Sequence, residues 1–152
     1  MDKSKNNNEN QLSLMSNNVA RKPFVLTSLN IAKDREREMA VFSHAKKLSE
    51  YVFVITEKSP KKYRWSIVSK LQNTSVEIIE ELYHANFKID NDRKIFQSNA
   101  RVKLCLLEHF AEVAKNMQAI NNHQMQVLAG LIEDVSKLLT GWIKSDKHLA
   151  KK

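Results

Sequence analysis

The chain has 152 residues, which suits one domain with a core of its own, and 42% apolar with 28% charged residues argues against global disorder. Its 25 Lys and Arg residues outnumber 17 Asp and Glu residues, which gives a net charge of +8 and a pI of about 9.6. This balance favours an acidic partner, which is nucleic acid, a membrane surface or an acidic protein.

The sequence gives little reason to expect a secreted or membrane protein. A lone cysteine cannot form an internal disulfide, and the chain opens without a signal-peptide pattern, so we expect a cytoplasmic location. The longest clean apolar run, Tyr51–Ile55, is far too short to cross a bilayer, so no membrane partner is expected.

The N-terminal region differs in composition from the rest. Residues 1–29 are rich in asparagine and are predicted to form a mobile tail. Within them, Arg21–Leu26 is a candidate docking segment, although a flexible leader is the favoured interpretation. Residues 30–40 carry charges of both signs and are predicted to be a solvated helical lead-in.

Four apolar stripes follow, each with the alternating three- and four-residue spacing that places side chains on one helix face. Phe42 and Tyr51 widen the first stripe, and Leu106, Phe110 and Met117 widen the third. The stripes consist of Val41, Ala45, Leu48, Val52 and Ile55; Val68, Leu71, Ser75, Ile78, Leu82 and Ala85; Ala100, Leu104, Leu107, Ala111 and Ala114; and Met125, Leu128, Ile132, Val135, Leu139 and Trp142.

Polar or helix-breaking residues separate the stripes. Pro60 ends the first, residues 89–92 separate the second from the third and supply candidate capping side chains, and residues 121–122 form the next turn. The last pattern ends at Lys144–Ser145. Because short connections make neighbouring helices antiparallel, the sequence predicts an all-α, up-down-up-down four-helix bundle over residues 41–146, followed by a basic tail at 147–152.

Three segments of this bundle resemble a known family. They are Ser-Pro-Lys-Lys-Tyr-Arg-Trp at 59–65, Glu-Leu-Tyr-His-Ala-Asn at 81–86 and Lys-Leu-Leu-Thr-Gly-Trp-Ile-Lys at 137–144. Over residues 42–146 the chain resembles the four-helix bundle proteins of ribosomal RNA intervening sequences, which include the accessory variability determinant of diversity-generating retroelements. Family members commonly carry two glycines before the tryptophan, whereas Thr140 takes the first place here. The resemblance implies a homo-oligomeric ring, a pentamer, that assists a reverse transcriptase together with nucleic acid.

Positive charge is concentrated in the middle of the chain, where ten basic residues between Lys58 and Lys103 face five acidic ones. A basic strip on adjacent helices would bind phosphates, while the alternative is that these residues only keep the bundle soluble. The candidate nucleic-acid-binding residues are Lys58, Lys61, Lys62, Arg64, Lys70, Arg93, Lys94, Arg101 and Lys103. Tyr63 and Trp65 lie beside them and are candidates for base stacking, although a tryptophan at a helix start is expected more often in the core.

The sequence contains no constellation that would carry catalysis. Glu81 and His84 have the spacing used in di-metal bundles, but no second motif accompanies them, and Glu81 is expected to face solvent. His109 and Glu112 are one turn apart, as in an ordinary surface pair. Cys105 is predicted to be a buried small hydrophobe. We therefore expect a non-enzyme without metal or cofactor.

The first helix is apolar around most of its circumference near its centre, which exceeds what the core requires from one helix. We therefore predict that Tyr51, Phe53 and Val54 belong to a homo-oligomer interface; the alternative is that residues 24–31 cover them. Two functional hypotheses remain: an accessory nucleic-acid-binding subunit that serves a reverse transcriptase, and a protein-interaction scaffold for an acidic protein.

Overall fold

The computed structural model describes Ile31, Lys33, Arg35 and residues 39–151. Its long helices are α1 (Ala40–Glu57), α2 (Ser69–Phe87), α3 (Asp90–Asn116) and α4 (Asn122–Leu149). A 3₁₀ turn at Lys61–Tyr63 and a π-helical segment at Arg64–Val68 lead into α2. The predicted mobile tail lies outside the described residues. So does most of the charged lead-in, of which Ile31, Lys33 and Arg35 are helical.

The helices form the predicted all-α bundle. Helix α1 packs against α2 and α4, and α3 packs against the same two neighbours, so α1 and α3 occupy opposite corners. The described residues contain no β-strand. Short connections make consecutive helices antiparallel. The α1–α2 and α3–α4 connections therefore lie at one end of the bundle, here called the turn end. The connection between α2 and α3 lies at the other end, together with the C-terminus of α4.

The predicted stripes form the core. Every residue in all four is buried, and Phe42 and Trp142 contact each other within it, with ring centroids 5.9 Å apart. The widening of the third stripe was wrong at Leu106 and Met117, which are 40% and 41% exposed. Successive helix residues are rotated by about 100°, so Leu106 lies on the outer face of α3 although Leu107 beside it is buried, and Met117 is the exposed residue that follows the end of α3.

The helix boundaries follow the predicted breaks with two differences. Asn121 caps α4 in a reciprocal capping box with Gln124, but Ile89 takes the N-cap position of α3 without a side-chain cap, so the predicted Asp or Asn cap there was wrong. Helix α4 also runs beyond Lys144–Ser145 to Leu149, because polar residues can continue a helix without an apolar pattern. This extension brings Asp146 against α3.

None of the helices in the described part of the chain combines the length and apolar character that crossing a membrane requires.

Candidate nucleic-acid interface

Four exposed cations lie close together in sequence at the turn end, where the chain passes from α1 to α2. Lys58 follows the last residue of α1, Pro60 forces the backbone out of the helix, and Lys61 and Lys62 lie in the 3₁₀ turn before Arg64. We call Lys58, Lys61, Lys62 and Arg64 the basic turn. Among the described residues, no carboxylate lies within ion-pair distance of any of the four. Their positive charge therefore remains available to an anion.

Side-chain hydrogen bonds fix the backbone of the basic turn to the rest of the bundle. The Ser59 hydroxyl donates to the Ala119 carbonyl at 2.6 Å, which joins the two connections at the turn end. The Gln72 amide donates to the Thr56 hydroxyl at 2.9 Å, which ties α2 to the last turn of α1. The cations thus extend from a defined scaffold, which reduces the entropy lost when they bind a ligand.

Trp65 lies beside the basic turn and is 88% exposed, so the expectation that it packs into the core was wrong. A regular helix continued backwards from buried Val68 would place Arg64 or Trp65 on the core face. The π-helical segment instead allows a five-residue step, and Tyr63 packs against the core in their place. Ser66 in this segment has non-helical dihedral angles, with φ −120° and ψ −107°. The local change of helix type therefore turns the indole outward.

A groove of about 700 Å³ opens at the same end of the bundle. Lys58 and Pro60 line one side, and Lys115 and Asn121 line the other. Lys115 is not among the residues that the sequence pattern singled out. The helix order could have identified it, because the antiparallel arrangement brings the C-terminus of α3 to the end of the bundle where α1 ends. The end groove adds a half-buried cation and several amide groups to the neighbourhood of the basic turn.

The predicted residues nearer the middle of the bundle face different grooves. Lys70 is exposed, and its Nζ lies 5.6 Å from the centre of the Phe110 ring. Lys103 donates to Glu77 on α2 at 2.7 Å, and this hydrogen bond raises the pKa of the lysine. Arg101 donates to Thr140 on α4 at 3.4 Å. Since Arg101 and Lys103 point to opposite sides of α3, the nine candidates do not form one continuous strip.

Arg93 lies at the other end of the bundle and makes intramolecular contacts. Its Nε donates to the carbonyl oxygens of Ala85 and Lys88 at 3.1 and 2.9 Å, and its Nη1 donates to Asp146 at 3.2 Å. The guanidinium also lies 5.8 Å from the centre of the Trp142 ring. Arg93, which is on α3, therefore joins this helix to the C-terminal ends of α2 and α4. Its neighbour Lys94 is exposed and donates to Asn91 at 3.3 Å.

The exposed apolar surface is larger on α3 than on α1. On α1, Phe53 and Val54 are 46% and 65% exposed, whereas Tyr51 is half-buried against the core and burial raises the pKa of its phenol. On α3, exposed apolar residues recur at intervals of seven and four along one outer face. These residues, here called the α3 stripe, are Ile95, Val102, Leu106, Val113 and Met117. Sequence reasoning missed this surface because apolar residues on both faces of a helix look like one wide core stripe.

The described residues that were considered for catalysis or metal binding do not come together in one site. Cys105 is exposed, so its predicted burial was wrong. It follows buried Leu104, and the rotation of about 100° per helix residue turns its side chain away from the core. Glu81 accepts a hydrogen bond from Asn99 at 3.2 Å, and His109 lies 3.9 Å from Glu112 on the surface. Within residues 39–151 and the three described residues before them, no three His, Cys, Asp or Glu side chains could hold a metal ion.

Comparison with known proteins supports the resemblance found in the sequence. Among curated proteins, nothing matches the chain. The family model described as bAvd-like matches residues 39–146, a span that begins beside the first residue of α1 and covers nearly all of the four helices. The protein therefore belongs to the bAvd-like family, the bacterial accessory variability determinants of diversity-generating retroelements.

Proposed function

We propose that this protein is a non-catalytic accessory subunit that binds nucleic acid and assists the reverse transcriptase of a diversity-generating retroelement. Family membership carries the association with a retroelement. The basic turn carries the proposed nucleic-acid binding, because its four exposed cations pair with no carboxylate of the described residues and can bind phosphates. Lys70 and Lys115 extend this positive surface along α2 and into the end groove.

Phosphate binding of this kind has a measurable signature. Each neutralised phosphate releases counterions and adds about 0.7 to 0.9 to the slope of log affinity against log salt. Binding of a labelled RNA and a DNA duplex would be measured between roughly 50 and 300 mM salt. Reversing Lys61, Lys62 and Arg64 to glutamate removes three cations, so we expect the slope to fall by about 2 to 3.

A matched control separates local binding from the effect of net charge. Reversing Lys144, Lys147 and Lys151 changes the net charge by the same amount at the other end of the bundle, where all three are exposed. We expect this control to keep most of the wild-type slope. Equal losses in the two variants would show that overall charge governs binding and would contradict a site at the basic turn.

We also propose that the protein forms a homo-oligomer, with the α3 stripe of one copy packed on the Phe53 and Val54 surface of the next. Large exposed apolar surfaces on soluble proteins mark interaction sites. Because α1 and α3 occupy opposite corners, the two surfaces face different directions, as a head-to-tail contact requires. Such contacts close into rings when the rotation permits, and the family resemblance implies five copies of the 17.6 kDa chain.

A mixing experiment tests this arrangement. Leu106→Lys should disrupt the α3 side and Val54→Lys the α1 side, so each variant alone becomes monomeric in light scattering. Each still carries one intact surface, so an equimolar mixture should form a heterodimer. Glu108→Lys, at an exposed position of α3 on a different side of the helix from the α3 stripe, is the control and should leave the oligomer intact. If the mixture stays monomeric, the interface does not join these two surfaces.

The alternative hypothesis, a scaffold for an acidic protein, differs in its partner. Co-expression with the reverse transcriptase of the same element, followed by purification on a tag, tests the proposed partner directly. Recovery of a complex that survives nuclease treatment supports the accessory role. Failure to recover the enzyme, together with loss of RNA and DNA binding at physiological salt, would favour an acidic protein partner.

A further inference from the structure

Trp65 combines three features that the proposed function does not explain. It is the most exposed large apolar side chain of the described residues, at 88%. It lies in a π-helical segment, a distortion that occurs frequently at functional sites. It also lies in the stretch from Lys58 to Lys70, which contains no acidic residue.

The indole is held outward by ordered structure on both sides. Tyr63 and Ile67 are half-buried and pack against the core before and after it. The Ser66 hydroxyl donates to the Tyr63 carbonyl at 3.2 Å within the same segment. Trp65 is therefore held in the helical segment that leads into α2 and does not lie on a long loop.

The surroundings of the indole are positively charged. Arg64 precedes it directly, and Lys61 and Lys62 lie about one turn earlier, with Lys62 Nζ 4.8 Å from the Tyr63 ring centre. An exposed aromatic ring among phosphate-binding cations is the arrangement used by proteins that bind single-stranded nucleic acid. The cations bind the backbone, and the ring stacks on a base.

We propose that Trp65 stacks on an unpaired nucleobase, so that the turn end of the bundle binds single-stranded nucleic acid in preference to a duplex. This inference rests on the proposed function. Bases within a duplex are already stacked on their neighbours and present no free face to the indole. A single strand can place one base on Trp65 while its phosphates contact the basic turn, and the end groove gives the strand space to continue past Lys58 towards Lys115.

Fluorescence of the full-length protein reports on this contact. The chain has two tryptophans, and Trp142 is only 7% exposed, so quenching by a ligand at the surface should come from Trp65. The probes are oligo(dT) and oligo(U), which have no self-pairing, and a DNA duplex of the same length. We expect both single strands to quench the emission and the duplex to leave it largely unchanged. Trp65→Phe should abolish the quenching while retaining an aromatic ring for binding.

Affinity measurements with Trp65→Ala complete the test. Loss of a base stacked on an aromatic ring should weaken single-strand binding about 5- to 150-fold. The salt slope should stay at the wild-type value, since stacking neutralises no phosphate. Phe87→Ala removes another exposed aromatic side chain, 49% exposed at the other end of α2, and should change neither affinity nor quenching.

The outcomes separate this inference from the function on which it rests. Unchanged single-strand affinity in Trp65→Ala, with loss of binding when Lys61, Lys62 and Arg64 are reversed, would overturn stacking and leave the proposed function standing. No binding of any probe to the wild-type protein would overturn both. Dissociation of the oligomer by Trp65→Ala, with an emission shift on dilution without nucleic acid, would assign Trp65 to a protein contact and also overturn stacking.

Discussion

Replacing Arg93 with alanine separates a cation that stabilises the fold from the cations proposed to bind phosphate. The change removes the hydrogen bonds to Ala85, Lys88 and Asp146 and the contact with the Trp142 ring. Hydrogen bonds to charged groups contribute about 1.5 to 3 kcal/mol each, but those made by one side chain are not additive.

The surroundings set the expected magnitude. Asp146 would keep the 2.9 Å hydrogen bond from Gln97 but lose its countercharge. The Arg93 and Asp146 side chains are 16% and 18% exposed, so solvent screens part of the loss that a fully buried pair would suffer. We therefore expect the free energy of unfolding to fall by about 2 to 4 kcal/mol. For a chain of this size, the midpoint temperature should fall by roughly 5 to 15 °C.

Urea unfolding followed by circular dichroism, at one fixed protein concentration, measures the effect. Lys94→Ala is the matched control, because the neighbouring lysine is exposed and should change the free energy of unfolding by less than about 0.5 kcal/mol. Below its unfolding transition, Arg93→Ala should retain the wild-type salt slope for nucleic acid. Stability within about 0.5 kcal/mol of wild type would refute the structural role. A salt slope lowered by about 1 would show that Arg93 also contacts a phosphate and would contradict its separation from the binding cations.

Three further outcomes follow from local geometry. Asn121→Ala removes the capping box of α4 and should lower the free energy of unfolding by about 1 kcal/mol in urea titrations. Gly130→Ala should raise it by about 0.5 to 1 kcal/mol, because the glycine is inside α4, does not have positive φ and has open space where the new Cβ would lie. Cys105 should react with a water-soluble thiol reagent in the folded protein as fast as after denaturation; protection in the oligomer alone would place it at an interface.

Sequence periodicity predicted the bundle because each helix buries one face, and every residue of the four core stripes is buried. It misplaced Trp65 because a π-helical segment changes the register locally and leaves no mark in a three- and four-residue pattern. It also missed the role of Arg93, whose partner Asp146 is 53 positions away on an extension of α4 that carries no apolar pattern. A position whose role depends on one long-range polar contact therefore cannot be assigned from the periodicity of the sequence.

The placement of cations at the two ends also bears on the proposed assembly. Arg93 closes one end through an internal network, whereas the basic turn and Trp65 lie open at the turn end. In a cyclic oligomer all copies point in the same direction, so the turn ends would lie on one rim and present several binding sites to one strand. A two-fold pair of antiparallel copies would place them at opposite ends. The ring therefore predicts that affinity rises steeply once a single strand is long enough to reach two neighbouring copies, because the second contact becomes intramolecular.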